Sequence, residues 1–233
     1  LTEGFRSLQI SMDDTDILLT HLHVDHTGLA PDLVRPANKV YIGEADRRFM
    51  NDVEGVHVHR VKRLEKNGIA GQLIREMLAA TPSRTMAADE SFNGYTCLKE
   101  GDVIEAGPYR LQAISTPGHT PGQMCFSILG TGAMILADHV LFDITPNITD
   151  WEALPDALGS YLESLDVIDK YEVTIPLPGH RQPGDFDGRI RALKEHHKRR
   201  LEECRQVIES LGRARLYDIA GNMTWKIRAA GCD

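Results

Sequence analysis

Six consecutive positions, His21-Leu22-His23-Val24-Asp25-His26, hold three imidazoles and one carboxylate. These are the preferred donors for zinc and related divalent ions. Packing gives no reason to gather three histidines at one point. The run follows Asp16 to Thr20, a short apolar segment of strand length, so the donors fall on a loop at a strand end. There His21 and His23, as alternate residues, point to one side, while Asp25 and His26 turn towards a neighbouring position. One short loop thus offers donors to two metal ions.

Three further candidates end apolar runs. His119 lies in Thr116-Pro117-Gly118-His119-Thr120-Pro121-Gly122, Asp138 follows Ala133 to Ala137, and His180 follows Val173 to Leu177. Strand carboxyl ends are where sites gather in α/β folds. The tripeptide Pro-Gly-His occurs at both 117–119 and 178–180. Its glycine lets the backbone turn sharply and come close to a ligand.

The elements that must position these groups read as a mixed α/β chain. Strands are expected at Lys39 to Ile42, Asp102 to Ile104, Tyr109 to Ile114, Met124 to Ile128 and Ala133 to Leu136, besides the runs before His21 and His180. Helices are expected from Thr27, from Glu44 to Met50, and over Ile69 to Ala80. Residues 54–95 otherwise look irregular, with a loop over the site from Thr81 to Gly94. Thr149-Asp150-Trp151-Glu152 fits a capping box, followed by a helix with Leu154, Leu158, Leu162, Leu165 and Ile168 inward. Phe142 to Ile148 are candidates to line the pocket. A long helix spans Phe186 to Leu211, with Ile190, Leu193, Leu201, Cys204 and Ile208 on its apolar face.

The 233 residues, 42% hydrophobic and 26% charged, suit a soluble α/β domain with a small appendage. The formal net charge of −8 disfavours broad nucleic-acid binding. The basic residues Lys194, Lys198, Arg199 and Arg200 read as a solvated helix face. Cys97, Cys125, Cys204 and Cys232 form no C-x-x-C pair, which suits a reduced, cytoplasmic setting. No apolar run approaches the roughly 20 residues that span a bilayer, so no membrane partner is expected. A homodimer is compatible with the sequence.

The ordered set of donors resembles the metallo-β-lactamase superfamily, whose defining run is His-x-His-x-Asp-His. The later ligands match in order as His119, Asp138 and His180, and the likeness covers residues 13 to 182. It implies an αββα sandwich over residues 1–185 and two divalent ions, zinc first, with iron or manganese as alternatives. It implies that His21, His23 and His119 bind one ion, that Asp25, His26 and His180 bind the other, and that Asp138 bridges them. Asp25 is also the candidate catalytic residue, orienting the nucleophile or moving its proton. Where the family usually has glycine before the bridging carboxylate, this chain has Ala137, a change small enough to fit. The family normally places several strands before its first motif, whereas about 20 residues precede His21. The likeness therefore implies that the sequence lacks N-terminal residues of the native protein. Residues 186–233 resemble a helical appendage, the start of a winged-helix-like unit.

The implied activity is hydrolysis of a small-molecule ester, thioester or lactone by a hydroxide shared between the ions. A phosphodiesterase or ribonuclease is the second reading. The third is a non-catalytic metal-binding or redox module. His139, beside Asp138, faces either the pocket or the interior.

Overall fold

The computed structural model describes residues 2–50, 53–80 and 93–225. Most of the expected loop from Thr81 to Gly94 lies outside them, as does Cys232. Two sheets stack face to face. One is three-stranded and parallel, in the order β1 (Ile17–Leu18), β2 (Val40–Gly43), β3 (Tyr95–Leu98). The other runs β4 (Val103–Ala106), β5 (Tyr109–Ser115), β6 (Met124–Ile128), β7 (Ala133–Ala137), β8 (Ile175–Pro178). Its strands are antiparallel except for the last pair, β7 and β8.

Alternation along the strands explains the layers. Leu111 and Ala113 of β5, Met124 and Phe126 of β6 and Ile135 of β7 face the space between the sheets, where Leu18, Tyr41 and Leu98 meet them. Ile114, Cys125, Met134 and Leu136 are offset by one residue and face the other way, under helices. Both faces of the middle of the larger sheet are thus buried, and β5, β6 and β7 each contribute to two cores.

In chain order the helices are α1 (Thr2–Ser7), α2 (Val24–Thr27), α3 (Ala30–Leu33), α4 (Glu44–Phe49), α5 (Val53–Lys66) and α6 (Gly71–Ala80). They continue with α7 (Ala157–Ile168), α8 (Phe186–Leu211) and α9 (Leu216–Asn222). Leu19, Leu22, Ala30, Val40, Ile42, Met50 and Trp151 form the core on the outer side of the small sheet. Tyr161, Leu165 and Ile168 of α7 and Phe186, Ile190 and Leu193 of α8 cover the large sheet. The architecture is αββα.

Several elements differ from the sequence reading. The helix expected from Thr27 starts at Val24, so Asp25 and His26 ride on its first turn. Helix α5 and strand β3 were not expected. Val56-His57-Val58-His59 alternates with period two and is rich in β-branched residues, a strand signal. The segment is nevertheless helical, and Val56 packs against the core beside the small sheet. The capping-box reading at Thr149 fails. The helix begins eight positions later, where Asp156 Oδ1 accepts from Gly159 N at 2.8 Å, and Asp150 is held by Arg63 instead. On α8 the first half is buried, but Leu201 and Ile208 are 49% and 42% exposed. That helix therefore covers the sheet only as far as about His197. No helix among the described residues is long and apolar enough to cross a membrane.

Candidate metal centre

The four strand ends named in the sequence converge. The chain leaves β1, bends through Thr20 to Leu22, and enters α2 from an extended His23. His26 N and Thr27 N both donate to His23 O at 3.0 Å. This bend brings the His21 and His23 rings together, while Asp25 and His26 ride on a helical turn, about 100° apart, with the His26 ring 4.1 Å from that of His21. The start of β6 ties this run to the large sheet, since Met124 N donates to Thr20 O at 2.9 Å.

His21 Nε2 lies 3.0 Å from His23 Nδ1, which lies 2.8 Å from His119 Nε2. His26 Nε2 lies 3.2 Å from His180 Nε2 and 3.7 Å from Asp25 Oδ2, and His180 Nε2 is 3.3 Å from the same oxygen. Asp138 stands between the two triads. Its Oδ1 is 3.4 Å from His26 Nε2, and its Oδ2 is 3.6 Å from His119 Nε2 and 3.5 Å from His180 Nε2. A tetrahedral ion with bonds of about 2.0–2.1 Å needs its donors roughly 3.3 Å apart. The observed spacings fit that edge length.

Two further observations bear on the fit. His119 Nδ1 lies 2.6 Å from Asn147 O. A carbonyl only accepts, so Nδ1–H donates there, and the neutral ring turns a bare Nε2 lone pair inward. Asp138 is 7% exposed, and its Oδ1 has no hydrogen-bond partner among the described residues. A buried carboxylate oxygen in that state carries a desolvation cost that a cation offsets. His21, His119 and Asp138 form a buried floor, while Asp25 is exposed at the rim.

The description of the Metallo-beta-lactamase superfamily matches residues 15–180. The chain belongs to that superfamily. It is 26% identical over 220 residues to an atrochrysone carboxyl ACP thioesterase of Claviceps purpurea, covering 92% of this chain and 52% of that protein. It is 29% identical over 167 residues to an uncharacterised protein of Mycobacterium leprae, covering 70% of this chain and 67% of that protein. It thus spans about half the length of the thioesterase it matches. Among solved structures, the metallo-beta-lactamase family protein TTHA1429 from Thermus thermophilus superposes with a TM-score of 0.76 at 22% identity, over 94% of this chain and 71% of that one. This likeness shows the fold. Superfamily membership and the His/Asp cluster together fit a metal-dependent hydrolase.

The superfamily's glycines have visible work here. Gly118 adopts φ +144°, and a Cβ there would lie 2.5 Å from Tyr161 Cβ. A Cβ on Gly179 would lie 2.6 Å from Asp138 Oδ1. Both Pro-Gly-His turns therefore press backbone against a neighbour that a side chain would displace. Ala137, which stands where the superfamily usually has glycine, is accommodated but at φ +49°. That left-handed conformation costs about 1–2 kcal/mol for a residue with a Cβ.

One positioning residue escaped the sequence reading. Asp46 of α4 is fully buried and accepts from Leu22 N at 2.9 Å, Thr120 Oγ1 at 2.7 Å and Gly122 N at 2.6 Å. It pins the His21–His26 loop to the His119 loop. The loop after Asp138 is tethered too, since Arg189 donates to Leu141 O and Ile144 O, both at 2.6 Å. Within Phe142 to Ile148, Phe142 and Ile148 pack on the core, and Asn147 lines the cavity. His139 faces inward, fully buried against the Tyr161 ring.

Burial, ahead of repulsion between neighbouring rings, holds His21 well below the usual imidazole range and His23 down to about 4. Burial likewise lowers His119, and takes His139 down to about 3. All four are neutral at pH 7, the form that binds metal. In the unfolded chain they titrate near 6.5, so the unfolded state binds more protons below that pH. Their contribution to stability is complete above about 6.5 and is lost as pH falls towards 3–4. Asp46, pushed up to about 6 by burial, runs the other way between about 4 and 6, but it is one group against four. The metal-free protein is expected to lose on the order of 1–2 kcal/mol per buried imidazole between pH 7.5 and pH 5. Urea midpoints with chelator present measure this, and equal stability at the two pH values would refute it.

Proposed function

We propose that the chain is a dinuclear metal-dependent hydrolase of small esters, thioesters or lactones. The observation that carries this reading is the pair of donor triads flanking one buried carboxylate, with His23, Asp25 and His119 opening on a cavity of about 780 Å³. His21, His23 and His119 would hold one ion, Asp25, His26 and His180 the other, and Asp138 would bridge. Zinc suits the His/Asp set, and iron or manganese are the alternatives. Two such ions, when bound, supply a water-derived nucleophile at neutral pH and polarise the electrophilic oxygen.

The chain's own residues do the rest. Asp25, at the cavity rim, orients the attacking water and takes up its proton. Trp151 lines the cavity and donates from its indole to His119 O at 3.1 Å, which holds that ring's backbone in place. The thioesterase named among the relatives favours a thioester. The phosphodiesterase or ribonuclease reading gains little from the basic run. Lys194 is paired with Asp166 and Asp169, Arg199 with Glu195 and Arg200 with Glu203. The contacts of α9 favour a tail that closes the cavity, since Tyr217 N donates to Asn67 O and Leu216 lines the pocket.

Metal analysis followed by a hydrolysis panel tests the proposal. Thioesters, esters or lactones are expected to be turned over, with activity abolished by chelator and restored by zinc. Full activity in metal-free protein, or cleavage confined to RNA and phosphodiesters, would overturn it.

A further inference from the structure

The cavity that opens on His23, Asp25 and His119 is walled by Val24, Val56, Leu64, Trp151 and Leu216, an apolar lining. Four charged side chains also reach it: Asp25, Arg60, Arg63 and Asp150. Three of these have partners. Asp25 belongs to the donor cluster. Arg63 grips Asp150 through two bonds, Nε to Oδ2 at 2.7 Å and Nη2 to Oδ1 at 3.0 Å, and His59 Nε2 adds a contact to the same carboxylate at 3.3 Å. Arg60 makes no ion pair or hydrogen bond among the described residues. It nevertheless faces the cavity, because Val56, Arg60 and Leu64 follow one another at four-residue spacing on α5 and line the same wall.

A guanidinium stays charged at any working pH and pairs a carboxylate or phosphate through two parallel bonds. The chain as a whole carries −8, so its general field repels anions, and on this wall Arg63 is already neutralised by Asp150, which leaves Arg60 as the cation with a free fork among the described residues. We propose that Arg60 is an anion subsite. The substrate is then an ester or thioester that ends in a phosphate or carboxylate, its acyl bond lying at the metal centre and its anion on α5. This rests on the hydrolase reading of that centre. In the reaction water adds to the acyl carbon, the C–S or C–O bond breaks, and the leaving thiol or alcohol gains a proton.

The test compares substrate twins on the zinc-loaded chain. One pair is S-butyryl-phosphopantetheine and S-butyryl-pantetheine; the other is the butyryl thioester of mercaptoacetate and that of its amide. The expected result is a preference of roughly tenfold to a hundredfold in kcat/KM for the anionic member of at least one pair. The phosphate and carboxylate arms tell which anion is preferred. In Arg60→Glu the ratio should fall to one or below, and Arg60→Lys should recover part of it. Equal use of both members by the wild type in both pairs, or a ratio that survives in Arg60→Glu, overturns the subsite. Calorimetric titration with phosphopantetheine separates the two readings. Binding lost in Arg60→Glu, with no thioester cleaved, keeps the subsite and removes the hydrolase. Absence of both binding and cleavage overturns both.

Discussion

Asp138→Ala is expected to lose metal and activity together, with turnover falling roughly a thousandfold or more. Asp138 is the carboxylate that faces both triads, with oxygens 3.4 Å from His26 and 3.5–3.6 Å from His180 and His119. Two ions held near each other repel, and a shared carboxylate is the group that offsets this. Its removal takes away charge stabilisation worth several kcal/mol in the transition state. Merely structural damage is distinguishable. In metal-free protein the carboxylate is buried beside neutral imidazoles and its Oδ1 makes no hydrogen bond among the described residues, so its removal relieves a cost rather than creating one. Metal-free Asp138→Ala should therefore unfold at a urea midpoint equal to or above that of metal-free wild type. Zinc should raise the wild-type midpoint and leave the variant's unchanged. Full activity in the variant, or a metal-free form already destabilised, would refute the bridging role.

The His and Asp residues that cluster were legible in the sequence because their chemistry is local. Three imidazoles within six positions have no packing explanation, and His119, Asp138 and His180 each end an apolar run that forms a strand. The strands Tyr109–Ser115, Met124–Ile128 and Ala133–Ala137 were legible as short apolar runs, but their stacking into two sheets was implied only by the resemblance to the superfamily. Helix α5 was hidden because its Val-His alternation carries the wrong period, and its helical state rests on packing against the core beside the small sheet. The cavity wall, Arg60 included, was hidden with it. Ala137 was read correctly as a residue that fits, but no feature of its type or neighbours shows that it sits at positive φ. Asp46 was invisible for a different reason. Its three donors lie 24, 74 and 76 residues away, and a lone aspartate in Glu44-Ala45-Asp46-Arg47 reads as solvent-facing.

Asp46→Ala is expected to cost about 3 kcal/mol or more of stability and to weaken metal binding. The carboxylate faces no cation among its contacts. It accepts from two backbone N–H groups and one hydroxyl, and removal leaves all three buried. The Thr120 hydroxyl can rotate to another acceptor, but Leu22 N and Gly122 N cannot, and each unsatisfied donor costs about 1–3 kcal/mol. Asp46→Asn keeps the shape but turns an NH2 towards one of those N–H groups, so it should lose about 1–3 kcal/mol. Because Leu22 sits between His21 and His23, and Thr120 beside His119, the slackened clamp loosens one triad more than the other. Zinc affinity is expected to fall roughly 10–100-fold, as for other groups that hold metal ligands from behind. The pH dependence identifies the carboxylate itself. Burial pushes Asp46 up to about 6, against the pull of its Thr120, Gly122 and Leu22 hydrogen bonds. In the folded state it therefore keeps its proton to higher pH than in the unfolded chain, and its contribution falls as pH rises from about 4 through 6. The amide introduced by Asp46→Asn has no proton to lose, so the stability difference between wild type and this variant should change across that window and be flat outside it. A constant difference from pH 4 to pH 8, with zinc affinity unaltered, would show that Asp46 only fills space.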